Sequence, residues 1–284
     1  MNFINLSSLF YDLQEPLEYA FMQRSLVVAI SVGLLCAIVG SYLMVQRLAL
    51  LGDAISHSVM PGLALAFTYK IPIIGGALIA AILSTIIITW LNKEYPLKED
   101  TVIGIVFASF FALGIILISL IQRDNKIDLN HFLFGNILGV SLEDVIATSI
   151  ICGSVLIIIT YLYKELLFYT FDPLGAEALG LPVKQLHSCL MVLVALTTVA
   201  SMKAVGVVLV LALLIIPSAS AYLLVKRLDQ LMTLASTLGI LSSIIGMYIS
   251  YFFNIPSGPA IVVVASLFFC ISLVIYKSMQ FTSF

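Results

Sequence analysis

Charge is what this 284-residue sequence has least of. Asp, Glu, Lys and Arg together make up 10% of it, against about 25% in a soluble domain. The hydrophobic share is 62% and the mean hydropathy is +1.17. So little polar surface cannot cover a water-facing globule, which excludes a soluble protein. With 13 Lys and Arg against 15 Asp and Glu, no basic stripe exists to neutralise phosphates, so nucleic acid is excluded as a partner. Cysteine is also sparse. Cys36, Cys152, Cys189 and Cys270 lie far apart, each inside an apolar run, with no C-x-x-C pair. They read as small buried hydrophobes rather than a disulfide framework or a zinc knot. Two motifs are missing altogether. Without a G-x-x-x-x-G-K-[ST] loop the chain has no P-loop for ATP, and without His-Glu-x-x-His it does not read as an intramembrane metalloprotease.

What is present is a series of long apolar runs. A spanning helix needs about 20 predominantly apolar residues, and the runs between charges fall at 25–46, 54–69, 72–91, 102–121, 143–163, 186–202, 204–224, 231–252 and 259–277. Only Lys203 separates the sixth from the seventh, so eight and nine spans are both open. No barrel-type alternation occurs. The expected fold is an all-α, polytopic membrane bundle of 8–9 transmembrane helices with short re-entrant or interfacial helices. It forms one transmembrane domain over 1–284: an N-terminal interfacial segment (1–24), a first helical group (25–163), a loop (164–185) and a second helical group (186–278). Asp12, Glu15 and Glu18 precede Arg24, the reverse of a cleavable signal peptide, and 8–22 reads as a surface helix leading into the first span.

Arg47, Lys93, Lys98, Lys164, Lys184, Lys226, Arg227 and Lys277 fall on one side of such a bundle, leaving Arg24, Lys70, Arg123, Lys126 and Lys203 on the other. The positive-inside bias then places the C-terminus and the 164–185 loop in the cytoplasm.

Most acids sit in connections; Asp53 does not. It lies in Leu48-Ala-Leu-Leu-Gly-Asp-Ala-Ile-Ser-His-Ser-Val-Met-Pro-Gly62, with His57 four residues later. On a helix, positions i and i+4 share a face, so carboxylate and imidazole project together. An ionisable group at membrane depth costs at least about 2.5–3.5 kcal/mol and usually faces a pathway or a partner. Oxygen plus imidazole nitrogen suits Mn, Fe and Zn. Two ligands do not complete a shell; a symmetric dimer supplies two more across its axis. A second reading stays open, in which Asp53 caps the following helix and His57 braces it. Pro61 and Gly62 then interrupt the helix, a candidate hinge. His131, in Asn130-His-Phe-Leu-Phe-Gly-Asn-Ile-Leu-Gly139, is a further candidate ligand; otherwise it opens a short re-entrant or interfacial helix. His187, beside Lys184, reads as interfacial.

The 164–185 loop contains Phe171-Asp-Pro-Leu-Gly-Ala-Glu-Ala-Leu-Gly-Leu-Pro-Val183. Asp172 suits an N-cap, Pro173 the first helical position and Gly180 the position past the end, while Pro182 forbids continuation. A rigid two-turn helix with one exposed acid, Glu177, suits insertion into a groove on a partner protein; the alternative is a connecting helix against lipid headgroups. Pro217 is expected to break the run Val207–Ile216, a second candidate hinge. Asn254-Ile-Pro-Ser-Gly-Pro259 reads as a tight turn, and Gly206, Gly239 and Gly246 as points of close helix approach.

Taken together, Gly52–Gly62, Phe132-Leu-Phe-Gly-Asn136, Asp172–Gly180, Leu214-Ile-Ile-Pro-Ser-Ala-Ser-Ala221 and Pro256-Ser-Gly258 resemble, in order, the permease subunits of ABC importers for manganese, zinc and iron. The likeness runs from about residue 20 to 278 and is nearest the manganese branch. It implies a homodimeric permease in the lipid bilayer with the metal path at the dimer axis. Two copies of a cytoplasmic ATPase that binds the ATP and an extracytoplasmic metal-binding lipoprotein are implied as partners. Asp53 and His57 match the family's acidic and histidine positions, and 172–180 its coupling helix. The transported ion is then Mn²⁺, with Zn²⁺ or Fe²⁺ possible, and no permanent cofactor is expected. The alternative is a proton-coupled secondary metal transporter, in which Asp53 and His57 relay protons and no ATPase is needed.

Overall fold

The computed structural model describes residues 14–121 and 137–282. Helices dominate the described residues: α1 (Ala20–Val45), α2 (Ala49–Ser58), α3 (Met60–Tyr69), α4 (Ile73–Glu94), α5 (Glu99–Ile121), α6 (Leu142–Tyr161), α7 (Tyr163–Phe171), α8 (Pro173–Ala178), α9 (Val183–Val205), α10 (Val207–Leu224), α11 (Leu228–Phe253) and α12 (Ser257–Thr282). A helical turn at 14–18 precedes α1, within the surface helix read over 8–22. Among the described residues nine stretches are long and apolar enough to cross a membrane, with α2 and α3 counting together as one. That is the architecture expected where lipid offers backbone groups no hydrogen bonds.

The boundaries have local causes. Ser141 caps α6: its hydroxyl accepts from Asp144 N (3.2 Å), and its own N–H donates to Asp144 Oδ2 (3.3 Å), a reciprocal capping box. Lys70 and Asn254 end α3 and α11 in the left-handed region, at φ 54° and 51°. The sixth and seventh spans separate at Gly206 rather than Lys203. Gly206 takes φ 85° and ψ 158°, a backbone conformation open to glycine, and this decides for nine spans over eight. Gly206 therefore marks a break between two spans.

α1 runs through the bundle and packs on α6, α9, α10 and α11. Small residues let the backbones approach. A Cβ on Gly239 of α11 would lie 2.6 Å from the Gly33 carbonyl of α1, and one on Gly40 would strike the Leu214 carbonyl of α10. Between α3 and α4, Gly62 and Gly76 face each other backbone to backbone, and Gly246 sits against Ile261 of α12. Packing of this kind substitutes for the hydrophobic force that lipid removes.

Pro217 does not break its helix. α10 continues from Val207 to Leu224 with Pro217 buried inside it. Neighbouring small polar residues stitch the segment: Ser218 Oγ donates to the Ala37 carbonyl of α1 (3.1 Å), and Ser220 Oγ to the Ile216 carbonyl (2.7 Å). Helix neighbours and serines commonly absorb a membrane proline in this way. Of the four free cysteines, Cys36 and Cys152 are buried and Cys189 partly so, but Cys270 lies on the exposed face of α12; burial is not general.

The two ends of the bundle are distinct. Ser25 Oγ near the start of α1 donates to the Ile137 carbonyl (2.7 Å). At the other end Gln46 Nε2 donates to Thr170 Oγ1 of α7 (3.4 Å). The C-terminal turns of α12 reach this second end, where Tyr276 and Phe171 line one cavity. The C-terminal end of α12 and α8 therefore share a side. Substituting Gly239→Ala is expected to force α1 and α11 apart at a cost of about 1–3 kcal/mol, read as a lower Tm of the detergent-solubilised protein. Gly104→Ala, where a Cβ meets nothing within 4 Å, leaves the Tm unchanged.

Candidate functional site

α2 starts at Ala49 after an uncapped Leu48, which makes Asp53 the fifth helical residue. The capping role open to Asp53 is thereby excluded: its main-chain carbonyl accepts from Ser56 Oγ (2.8 Å), and its carboxylate points along the helix instead. Asp53 Oδ1 stands 3.5 Å from His57 Nε2, with side-chain exposures of 42% and 21% respectively. The helical spacing thus brings carboxylate and imidazole together on one face, as the sequence predicts. The gap is longer than a good hydrogen bond, and the two atoms are placed so that one ion can touch both.

What holds the imidazole is a pair of rings from α5. Phe107 and Phe111, one turn apart, meet His57 edge-on at centroid separations of 5.5 and 5.3 Å, and stack on each other at 5.9 Å. The aromatic wall leaves Nε2 toward Asp53 and keeps Nδ1 buried with no hydrogen-bond partner. In the sequence Phe107 and Phe111 were two aromatics in an apolar run like any other; only packing selects them. Among the described residues no three His, Cys, Asp or Glu side chains gather into a metal-holding group. One chain therefore offers the Asp53–His57 pair, not a complete shell.

Two residues after His57 the helix pauses. Val59 closes α2 and α3 restarts at Met60 with Pro61 in its first turn. A proline there costs no hydrogen bond, because the first N–H groups of a helix lack partners anyway. His131 lies outside the described residues.

At the far end of α7 the chain turns into α8. Asp172 Oδ1 accepts from Gly175 N (2.8 Å), and Pro173 occupies the first turn. At the other end Gly180 takes φ 80°, with Leu181 N donating to the Ala176 carbonyl and Gly180 N to the Glu177 carbonyl, both at 3.0 Å. That pair of bonds is a Schellman motif. Ala176 is fully buried, while Leu174 and Leu179 are 79% and 72% exposed. The helix thus presents two leucines and the Glu177 carboxylate outward. Leu174 completes a surface that residue types alone did not single out.

His187, in the first turns of α9, has a side-chain partner. Its Nδ1 lies 2.7 Å from the Tyr169 hydroxyl. Burial pushes the Tyr169 phenol up to about 12, and the Glu99 carboxylate adds to the shift. A neutral phenol is therefore always present beside His187 at cellular pH. Replacing Asp172 with Ala is expected to cost α8 about 1 kcal/mol, seen as roughly fivefold faster amide exchange over 174–178; Asp172→Asn retains the cap.

Set beside known proteins, residues 18–276 match the model of the ABC 3 transport family. The chain is 44% identical to the manganese transport system membrane protein MntC of Listeria monocytogenes over 260 residues, covering 92% of each chain. It is 42% identical to the chelated iron transport system membrane protein YfeD of Yersinia pestis over 269 residues, covering 95% of this chain and 90% of the other. Among solved structures, PsaBC from Streptococcus pneumoniae in complex with Fab matches with a TM-score of 0.81 at 41% identity, covering 94% and 95%. The chain belongs to the ABC 3 transport family, as a multi-pass membrane transport subunit with no ATP-binding loop of its own.

Proposed function

We propose that this subunit is the permease of an ATP-driven importer of a divalent transition metal, Mn²⁺ above Zn²⁺ or Fe²⁺. The observation that carries the reading is the Asp53–His57 pair, set 3.5 Å apart on one partly exposed helical face of an apolar bundle. Carboxylate oxygen and imidazole nitrogen are donors for this group of ions. The names of the two similar transport proteins, one for manganese and one for iron, support the cargo class, and the manganese relative supports the choice of ion.

In this reading two copies of the chain bring their Asp53–His57 faces together, and water completes the shell. The ion arrives from an extracytoplasmic metal-binding lipoprotein. The end bearing α8 faces the cytoplasm, in line with the positive-inside count. There α8 acts as the coupling helix: Leu174 and Leu179 seat in a groove on each of two cytoplasmic ATPases, and Glu177 fixes register at the rim. The caps at Asp172 and Gly180 keep the helix rigid enough to transmit ATPase closure. The restart at Pro61 and Gly62 lets α2 reorient relative to α3. In this reading the ATP is hydrolysed on another chain, since this one carries no P-loop.

Asp53→Asn and His57→Ala are each expected to lower Mn²⁺ uptake at least about tenfold, measured with radiolabelled metal in cells carrying the complete transporter. Unchanged uptake in both variants removes the site assignment, and uptake by the chain alone in liposomes under a pH gradient replaces the ATP-driven reading. Leu174→Ser with Leu179→Ser is expected to weaken ATPase docking by about 2 kcal/mol or more, seen as loss of co-purification with the ATPase. Metal binding to the permease stays unchanged.

A further inference from the structure

A second polar constellation lies at the end of the bundle that carries α8. A cavity of about 600 Å³ opens between the last turn of α4, the start of α5, the base of α8 and the first turns of α9. Asn92, Glu99, Tyr169 and His187 line it, with Lys93 and Lys184 exposed at its rim. Glu99 Oε1 and both amide atoms of Asn92 are buried and make no hydrogen bond. Buried polar groups are otherwise paired in more than about nine cases in ten, so three orphan atoms in one cavity call for a physical reason. His187 differs from them. Its Nδ1 is engaged by the Tyr169 hydroxyl at 2.7 Å, which leaves Nε2 as the available nitrogen. When Nδ1–H donates to the phenol oxygen, Nε2 carries the lone pair, the arrangement that fixes imidazole as a metal ligand.

α4, α5 and α9, which wall the cavity, also pack against α2, as do α1, α3 and α10. Glu99 precedes Phe107 by eight residues on α5, which is about 12 Å along the helix axis. Since Phe107 touches His57, the cavity lies one step beyond the pair, toward the end bearing α8.

We propose that this cavity is a second, low-affinity station for the divalent cation. Its ligands are the Glu99 carboxylate, the Asn92 amide oxygen and His187 Nε2, and Tyr169 positions the imidazole. The inference rests on the reading that a divalent metal is the cargo. An ion that has left Asp53 and His57 needs a site that accepts it and then lets it go, since conduction requires binding strong enough to enter and weak enough to leave. The two donor types suit the same ions as the upper pair. Lys93 and Lys184 at the rim oppose a dication, which keeps its residence short. The same lysines suit an anion, but the half-buried Glu99 carboxylate below them does not.

The test uses the full chain, free of tags, in lipid nanodiscs. Mn²⁺ binding is measured by equilibrium dialysis, and nitrogen coupling to the bound ion by pulsed electron paramagnetic resonance. In an Asp53→Asn, His57→Ala background, Mn²⁺ is expected to bind still, with a single histidine nitrogen coupled to it. Adding His187→Gln removes that coupling, and adding Glu99→Gln lowers affinity at least about tenfold. Glu99→Asp, which retains a carboxylate, keeps binding and shows that the fold tolerates change there. Mn²⁺ binding lost already in the background variant overturns the second station. So does nitrogen coupling that survives His187→Gln, or saturable binding of inorganic phosphate in place of Mn²⁺. Failure of the wild-type chain to bind any divalent metal through Asp53 and His57 instead overturns the cargo reading itself.

Discussion

Hydrocarbon accepts no hydrogen bonds, so every peptide group in this chain that crosses the membrane must find its partner within its own helix or on a neighbour. Most of the architecture follows from that requirement. It makes the spans helical, and it makes deviations from helix conspicuous. The deviations are few and each has its own compensation: a glycine in a conformation open to it at residue 206, a restart at Met60 where Pro61 costs nothing, and a proline at 217 whose neighbours are stitched to α1 by Ser218. The helix interrupted beside the Asp53–His57 pair is α2–α3, not the one with a proline at its centre.

With lipid removing the hydrophobic force between helices, close approach has to come from small residues. Gly33 with Gly239, Gly40 with Leu214 and Gly62 with Gly76 place backbones in contact. These contacts set α1 as the shared wall of the bundle and hold α3 tightly against α4. The pause at Val59 therefore separates a segment anchored by Gly62 from one that carries Asp53 and His57.

Polar chemistry inside the bundle is arranged by depth. Asp53 and His57 sit within the helical body, with Phe107 and Phe111 shaping the imidazole's surroundings. Glu99, Asn92 and His187 lie at the end that also carries α8. Tyr169 links that cavity to α8, because it is three residues ahead of Asp172, the cap of the short helix. The same helix, α5, carries Glu99 at its start and the two phenylalanines farther along, so the two polar regions share one rigid element.

The sequence by itself determined the solvent, the helical class, most span boundaries, the shape of α8 down to its caps, and the shared face of Asp53 and His57. All of these depend on local periodicity, local propensity or composition, which a chain carries in its order of residues. Tertiary structure decided what depends on distant segments meeting. It excluded a cap role for Asp53 by starting α2 at Ala49, kept Pro217 inside a continuous helix, and moved the break between the sixth and seventh spans to Gly206. It also chose Phe107 and Phe111 from 17 phenylalanines, and paired His187 with Tyr169 across 18 residues. The physical reason is the same each time. A proline's cost, a ring's partner or an orphan carboxylate depends on which helix lies alongside, and in a bundle of apolar helices nearly every face is chemically alike until the packing is known.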